Sequence, residues 1–129
     1  MLEKNKLLLV DDEADFLEIM GKFFTRRKIG FEVADGCMGA LDWIGKDSFD
    51  VVIMDVGMPG LDGVRCMAEM KKVQPGLEVI ILTGHASINA GLTGMKQGAF
   101  DYCLKPIDFD ELLEKILLAR EKASGQPRG

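Results

Sequence analysis

Five short apolar runs punctuate the chain: KLLLV (6–10), FEVA (31–34), VVIM (51–54), EVIIL (78–82) and FDYCL (100–104). Between them lie longer segments in which apolar residues recur every three or four positions. Strand and helix signals that alternate in this way predict a parallel sheet covered on both faces by helices. Leu7 to Val10, Val51 to Met54 and Val79 to Leu82 are apolar at every position, the pattern of strands buried on both faces. The second and fifth runs mix polar and apolar residues, as edge strands do. With right-handed crossovers this gives the strand order 2-1-3-4-5, an α/β doubly wound, flavodoxin-like (βα)5 sandwich.

Helices are predicted over 14–28, 37–46, 63–73, 87–97 and 108–122. In the first, Phe16, Met20, Phe23 and Phe24 form a core-facing stripe. Arg26, Arg27 and Lys28 suit the negative end of its dipole, and Gly30 is placed to terminate it. Asp108 and Glu111 read as a capping box, ahead of a buried stripe of Leu112, Leu113, Ile116 and Leu117. The fourth helix carries Gly91 and Gly94 inside it and Gly98 at its end. Each internal glycine costs about 1 kcal/mol relative to alanine, so this helix is expected to be marginal and to shift with the site.

The chain's 129 residues suit one domain, expected over 1–124, with 125–129 as a flexible tail or the start of a linker. A net charge of −5 argues against this domain gripping nucleic acid or an anionic membrane itself. No apolar run is long enough to span a bilayer, and the N-terminus lacks the shape of a signal peptide. Cys37, Cys66 and Cys103 are odd in number and in no metal spacing. Reduced cytosolic thiols are expected, with no disulfide.

Parallel α/β sheets place their sites at the carboxyl ends of the strands. The first strand ends in Asp11-Asp12, the third in Asp55, the fourth in Thr83 and the fifth in Lys105-Pro106. Three carboxylates against one ammonium leave the rim negative, which is unfavourable unless a cation joins or a carboxyl keeps a proton. An all-oxygen donor set suits a hard cation such as Mg²⁺, and a carboxylate can itself attack phosphorus to form an aspartyl-phosphate. The set fits a phosphoryl acceptor.

The segments LLLVDDEADF, VVIMDVGMPGLDG, ILTGHAS and GAFDYCLKPID resemble the receiver domain of two-component response regulators, in the CheY-like superfamily, over roughly residues 5–122. The resemblance implies that Asp55 accepts the phosphoryl group from a phosphohistidine of a sensor kinase or phosphotransfer protein. Asp12, Asp55 and the backbone carbonyl of Gly57 would hold Mg²⁺ (or Mn²⁺), with Asp11 acting through water. Lys105 would pair with Asp55 and later with the phosphoryl group. Thr83 would be the switch hydroxyl and Tyr102 the aromatic that turns inward on activation. Pro106 would follow a peptide bond that is often cis in this family. Gly57 stands where the family more often has a polar side chain. With the bulky His85, it leaves the lifetime of the phosphorylated form open.

The resemblance further implies a non-enzymatic signalling domain with Mg²⁺-dependent self-phosphorylation and slow autodephosphorylation. Its readout face would be the fourth helix, fifth strand and fifth helix, exposing Met95, Lys96 and Tyr102. The kinase would dock over the first helix and the Lys105-Pro106-Ile107 loop. An output domain or partner, transcriptional in some relatives, a phosphorylation-dependent dimer and a prokaryotic cytoplasmic setting belong to the same expectation. A true phosphohydrolase is disfavoured because Gly57 stands where its general acid would be. A flavin binder is disfavoured because no glycine-rich loop follows the first strand. A module that ignores phosphate leaves Asp12, Asp55, Thr83 and Lys105 without a purpose.

Overall fold

A computed structural model describes residues 6–56, 63–84, 88–123 and 125. The elements run β1 (Leu7–Val10), α1 (Ala14–Arg26), β2 (Phe31–Ala34), α2 (Cys37–Lys46), β3 (Val51–Asp55), α3 (Gly63–Val73), β4 (Glu78–Thr83), α4 (Ile88–Lys96), β5 (Asp101–Leu104) and α5 (Phe109–Ala123). The five strands are parallel, in the order β2-β1-β3-β4-β5. This is the expected (βα)5 sandwich. β1, all apolar, and β4, apolar over Val79 to Leu82, are buried at every position, whereas β2 and β5 are only partly covered, as their edge places require.

Successive strand residues face opposite ways, so the sheet separates two cores. Leu8, Val10, Val52, Met54, Val79 and Ile81 face a layer made by α2, α3 and α4, with Met67 and Met70 buried there. Leu7, Leu9, Val51, Ile53, Ile80 and Leu82 face the layer of α1 and α5, which contributes Met20, Phe24, Leu112 and Ile116. Among the described residues no helix is long and apolar enough to cross a membrane.

Several local expectations change. Lys28, not Gly30, takes the left-handed conformation that ends α1, with φ 58°. Ile29 N–H donates to Phe24 O and Lys28 N–H to Thr25 O, both at 3.0 Å, which makes a Schellman motif with lysine where glycine is usual. The buried stripe of α5 is Leu112, Ile116 and Ala119, and Leu117 faces solvent. Cys37 and Cys66 form a disulfide, correcting the expectation of reduced thiols. Their sequence separation of 29 conceals that α2 and α3 lie side by side on one face, bringing the two Cα atoms to 5.9 Å. The odd cysteine, Cys103, is free and buried on the opposite face.

Candidate functional site

Register assembles the rim. Val10 of β1 lies beside Met54 of β3, and Asp55 lies beside Leu82 of β4. Thr83 in turn lies beside Leu104 of β5. Backbone bonds continue the ladder past the strand ends: Asp11 N–H to Ala34 O at 3.1 Å, Val56 N–H to Leu82 O at 3.2 Å and Lys105 N–H to Thr83 O at 2.9 Å. Side chains from distant parts of the chain therefore leave one edge of the sheet together.

Asp11, Asp12 and Asp55 each bring one carboxylate oxygen within 4.8 Å of the others. Asp11 is fully buried, Asp55 is mostly buried and Asp12 is exposed, so the cluster opens to solvent on the Asp12 side. The Lys105 ammonium donates to Asp11 Oδ2 at 3.1 Å and to Asp55 Oδ2 at 3.2 Å. Asp11 Oδ1 accepts the Glu13 N–H at 2.9 Å, which ties the carboxylate to the turn that opens α1. The peptide bond between Lys105 and Pro106 is cis.

Burial pushes the Asp11 carboxyl above its ordinary value, against the opposing pull of the Glu13 N–H and Lys105. Burial also works against the charge on Lys105. The Asp55 charge and the Asp11 hydrogen bond outweigh it, and the ammonium is held above the usual lysine value. A crowded acidic cleft with one fixed cation and an open side, all oxygen donors, fits a hard divalent ion. Asp11, Asp12 and Asp55 are the residues that could offer it oxygen ligands, and Asp11 already holds Lys105 and the Glu13 N–H.

Thr83 is fully buried, and its hydroxyl donates to Gly84 O at 3.2 Å. A side chain on Gly91 of α4 would come within 3.3 Å of Thr83 Cγ2, so α4 lies directly on the threonine. A Cβ on Gly94 would overlap Ile81 Cδ1. These glycines, read in the sequence as helix weakeners, permit close approach to β4. Tyr102 is half-buried against the α2/α3/α4 core, with the Lys115 ammonium 5.5 Å from its ring centroid. Met95 is likewise partly buried against that core, while Lys96 is exposed as expected. Asp11, Asp12, Asp55 and Lys105 thus meet at one point, Thr83 ends β4 at the same edge of the sheet, and Tyr102 lies farther back in β5, beside Ile81. The Gly57 carbonyl and His85 lie outside the described residues.

Two neighbours of Lys105 were not singled out as site residues from the sequence. Glu13 Oε1 lies 3.8 Å from the ammonium, and the Phe16 ring centroid lies 4.5 Å from it. Phe16 reads as part of a core stripe. The signal that finds it is its place in the first turn of α1, directly after the strand-end carboxylates Asp11 and Asp12.

The model of the response regulator receiver domain family matches residues 7–117. The transcriptional regulatory protein GlrR of Escherichia coli (strain K12) is 37% identical over 118 residues, which cover 92% of this chain and 27% of that protein. The transcriptional regulatory protein ZraR of the same organism is 36% identical over 114 residues, 86% of this chain and 26% of that protein. The chain thus spans about a quarter of the length of these curated relatives. Among solved structures, a response regulator receiver domain protein from Clostridium thermocellum superposes with a TM-score of 0.88 at 32% identity, covering 95% of this chain and 99% of that one.

Proposed function

The chain belongs to the response regulator receiver domain family, and from that premise we propose that Asp55 is its phosphoryl acceptor and that phosphorylation switches the α4-β5-α5 face. An Asp55 carboxylate oxygen attacks the phosphorus of a phosphohistidine on a sensor kinase or phosphotransfer protein. The new O–P bond forms as the N–P bond breaks, and the leaving imidazole nitrogen takes up a proton. Mg²⁺, or Mn²⁺ in its place, supplies charge neutralisation for the phosphoryl oxygens. Asp12, Asp55 and the Gly57 carbonyl would hold it, with Asp11 acting through water.

Lys105 restrains the acceptor carboxylate before transfer and then pairs with a phosphoryl oxygen. The Thr83 hydroxyl exchanges its bond to Gly84 O for one to the phosphoryl group. Because α4 lies on Thr83 through Gly91, that movement reaches α4 directly, and Tyr102 turns inward beside it. Mg²⁺-dependent self-phosphorylation and slow hydrolysis are the only chemistry assigned.

The kinase docks over α1 and the Lys105-Pro106-Ile107 loop. The domain runs over residues 1–124, in a protein of the prokaryotic cytoplasm. Its output domain or partner is transcriptional, as the names of the curated relatives suggest. The domain makes no nucleic-acid contact of its own, and phosphorylation favours a dimer.

The observation that carries this reading is the single ammonium shared by Asp11 and Asp55 at 3.1 and 3.2 Å beside the exposed Asp12. The test is intact mass after incubation with Mg²⁺ and acetyl phosphate. One phosphoryl adduct is expected, absent in Asp55→Ala and absent in excess chelator. No adduct from acetyl phosphate or from any histidine kinase would overturn the reading, and rapid turnover of many phosphate esters would replace it with a hydrolase.

A further inference from the structure

Lys105 is held from more than one side. Asp11 and Asp55 accept two of its three N–H bonds at 3.1 and 3.2 Å. Its remaining contacts are the Phe16 ring, whose centroid is 4.5 Å from Nζ, and Glu13 Oε1 at 3.8 Å, which sits on an exposed side chain. A centroid distance of this size lies within the range in which a ring's quadrupole attracts a cation. Lys105 keeps only 23% of its side-chain exposure, so the attraction is partly sheltered from solvent.

The two kinds of contact differ in one important respect. Asp11 and Asp55 also belong to the three-carboxylate cluster that fits a divalent ion. Any cation accepted there draws on the same carboxylates that hold Lys105 and repels the ammonium. The ring face has no ligand atom, and a metal does not compete for it. Phe16 is fixed in turn by the first helical turn of α1 and by packing against the α1/α5 core.

We propose that Phe16 is a positioning residue for the phosphoryl-transfer site. Its ring face keeps the Lys105 ammonium over Asp55 when the carboxylates are shared with a divalent ion. The inference rests on the receiver reading for its consequence, but its geometry is tested separately.

The experiment compares the whole chain with Phe16→Leu, which keeps apolar bulk and removes the ring, and with Phe16→Tyr, which keeps the ring. The first readout is the Lys105 Hε proton shift by NMR, with and without Mg²⁺. Protons over a ring face move upfield, so the wild-type signal is displaced in both conditions, Phe16→Leu abolishes the displacement, and Phe16→Tyr retains it. The second readout is the initial rate of adduct formation from acetyl phosphate, a donor that needs no kinase docking. Phe16→Leu slows it by about three- to tenfold, the range for a partly desolvated cation over a ring, and Phe16→Tyr recovers the rate. An undisplaced Lys105 signal in the wild type, or equal rates for Phe16→Leu and wild type, overturns the inference. So does equal slowing by the Leu and Tyr variants, which marks a packing effect. Failure of the wild type to take up phosphoryl from any donor removes the functional reading instead, while the NMR comparison still decides whether the ring holds the lysine.

Discussion

The two helical layers on either side of the sheet mix aromatic rings and methionines in different proportions. The α1/α5 layer is aromatic and pinned. Phe23 stacks on Phe109 with centroids 4.6 Å apart, Phe24 meets Phe31 at 5.7 Å, and Arg27 sits 4.2 Å above Phe23. Asp108 Oδ1 caps α5 by accepting the N–H groups of Asp110 and Glu111 at 3.0 and 3.1 Å. The α2/α3/α4 layer uses Met54, Met67 and Met70, the flexible thioethers, and it lets α4 approach through Gly91 and Gly94. The site straddles the two. Phe16, which faces Lys105, belongs to the aromatic layer, whereas Thr83 meets α4 and Tyr102 packs in the other core. One wall is suited to hold a charge in place and the other to give way when a hydroxyl moves.

The comparison breaks first if the two cores respond alike to truncation. Phe24→Ala is expected to lower the unfolding free energy by about 3–5 kcal/mol, because a ring of zero exposure leaves a cavity between Phe23 and Phe31. Met67→Ala, also fully buried, should cost nearer about 2 kcal/mol, the low end for methionine, since its neighbours re-pack. Urea titrations of both variants decide it, and equal losses would mean the methionine layer is as rigid as the aromatic one.

The Cys37–Cys66 bond offsets the looseness of the second layer. Closing a loop of 29 residues restricts the unfolded chain by about 3–4 kcal/mol in the entropy model. Urea unfolding with and without dithiothreitol should differ by up to that amount. Thiol counting checks the premise: unfolded, unreduced protein should show one reactive thiol and reduced protein three. Three thiols before reduction would remove the bridge. Because disulfides are rare in cytosolic proteins, the count also bears on the proposed cytoplasmic setting.

The aromatic layer instead holds a free thiol, and that gives it a pH signature. Burial, first among the causes, pushes Cys103 up from 9.0 to about 11. The native state therefore keeps a proton that the unfolded chain loses above pH 9. Stability should fall as pH rises from about 9 to about 11, by about 2–3 kcal/mol in all. The raised Lys105 value acts in the same direction at still higher pH. Denaturant midpoints measured across this window, for wild type and Cys103→Ala, isolate the thiol. A slope that persists unchanged in the variant would assign it elsewhere.

The sequence made the strands and most of the rim readable, because both follow from rules local to each run. The all-apolar stretches Leu7–Val10 of β1 and Val79–Leu82 of β4 declared themselves central, and the residues ending the strands announced the rim. Asp108 was legible as a cap because capping is a matter of three residues. What stayed hidden depends on distances across the fold. Cys37 and Cys66 look unrelated until α2 and α3 are laid side by side. Phe16 looks like core until Lys105, far along the chain, comes to its ring. Gly91 and Gly94 look like defects in α4 until Thr83 and Ile81 occupy the space their side chains would need.

The smallest expected effect lies at the end of α1, where the aromatic layer carries its one visible flaw. Lys28 holds φ at 58°, a left-handed conformation that costs an L residue roughly 1–2 kcal/mol. The Schellman bonds from Lys28 and Ile29 back to Thr25 and Phe24 fix it there. Glycine removes the Cβ clash and loses more backbone entropy on folding, so Lys28→Gly should stabilise the protein by a net about 0.5–1 kcal/mol. Thermal and urea midpoints should both rise, with the denaturant slope unchanged. A fall in both would mean that the lysine's charge at the helix C-terminus is worth more than the strain of its backbone.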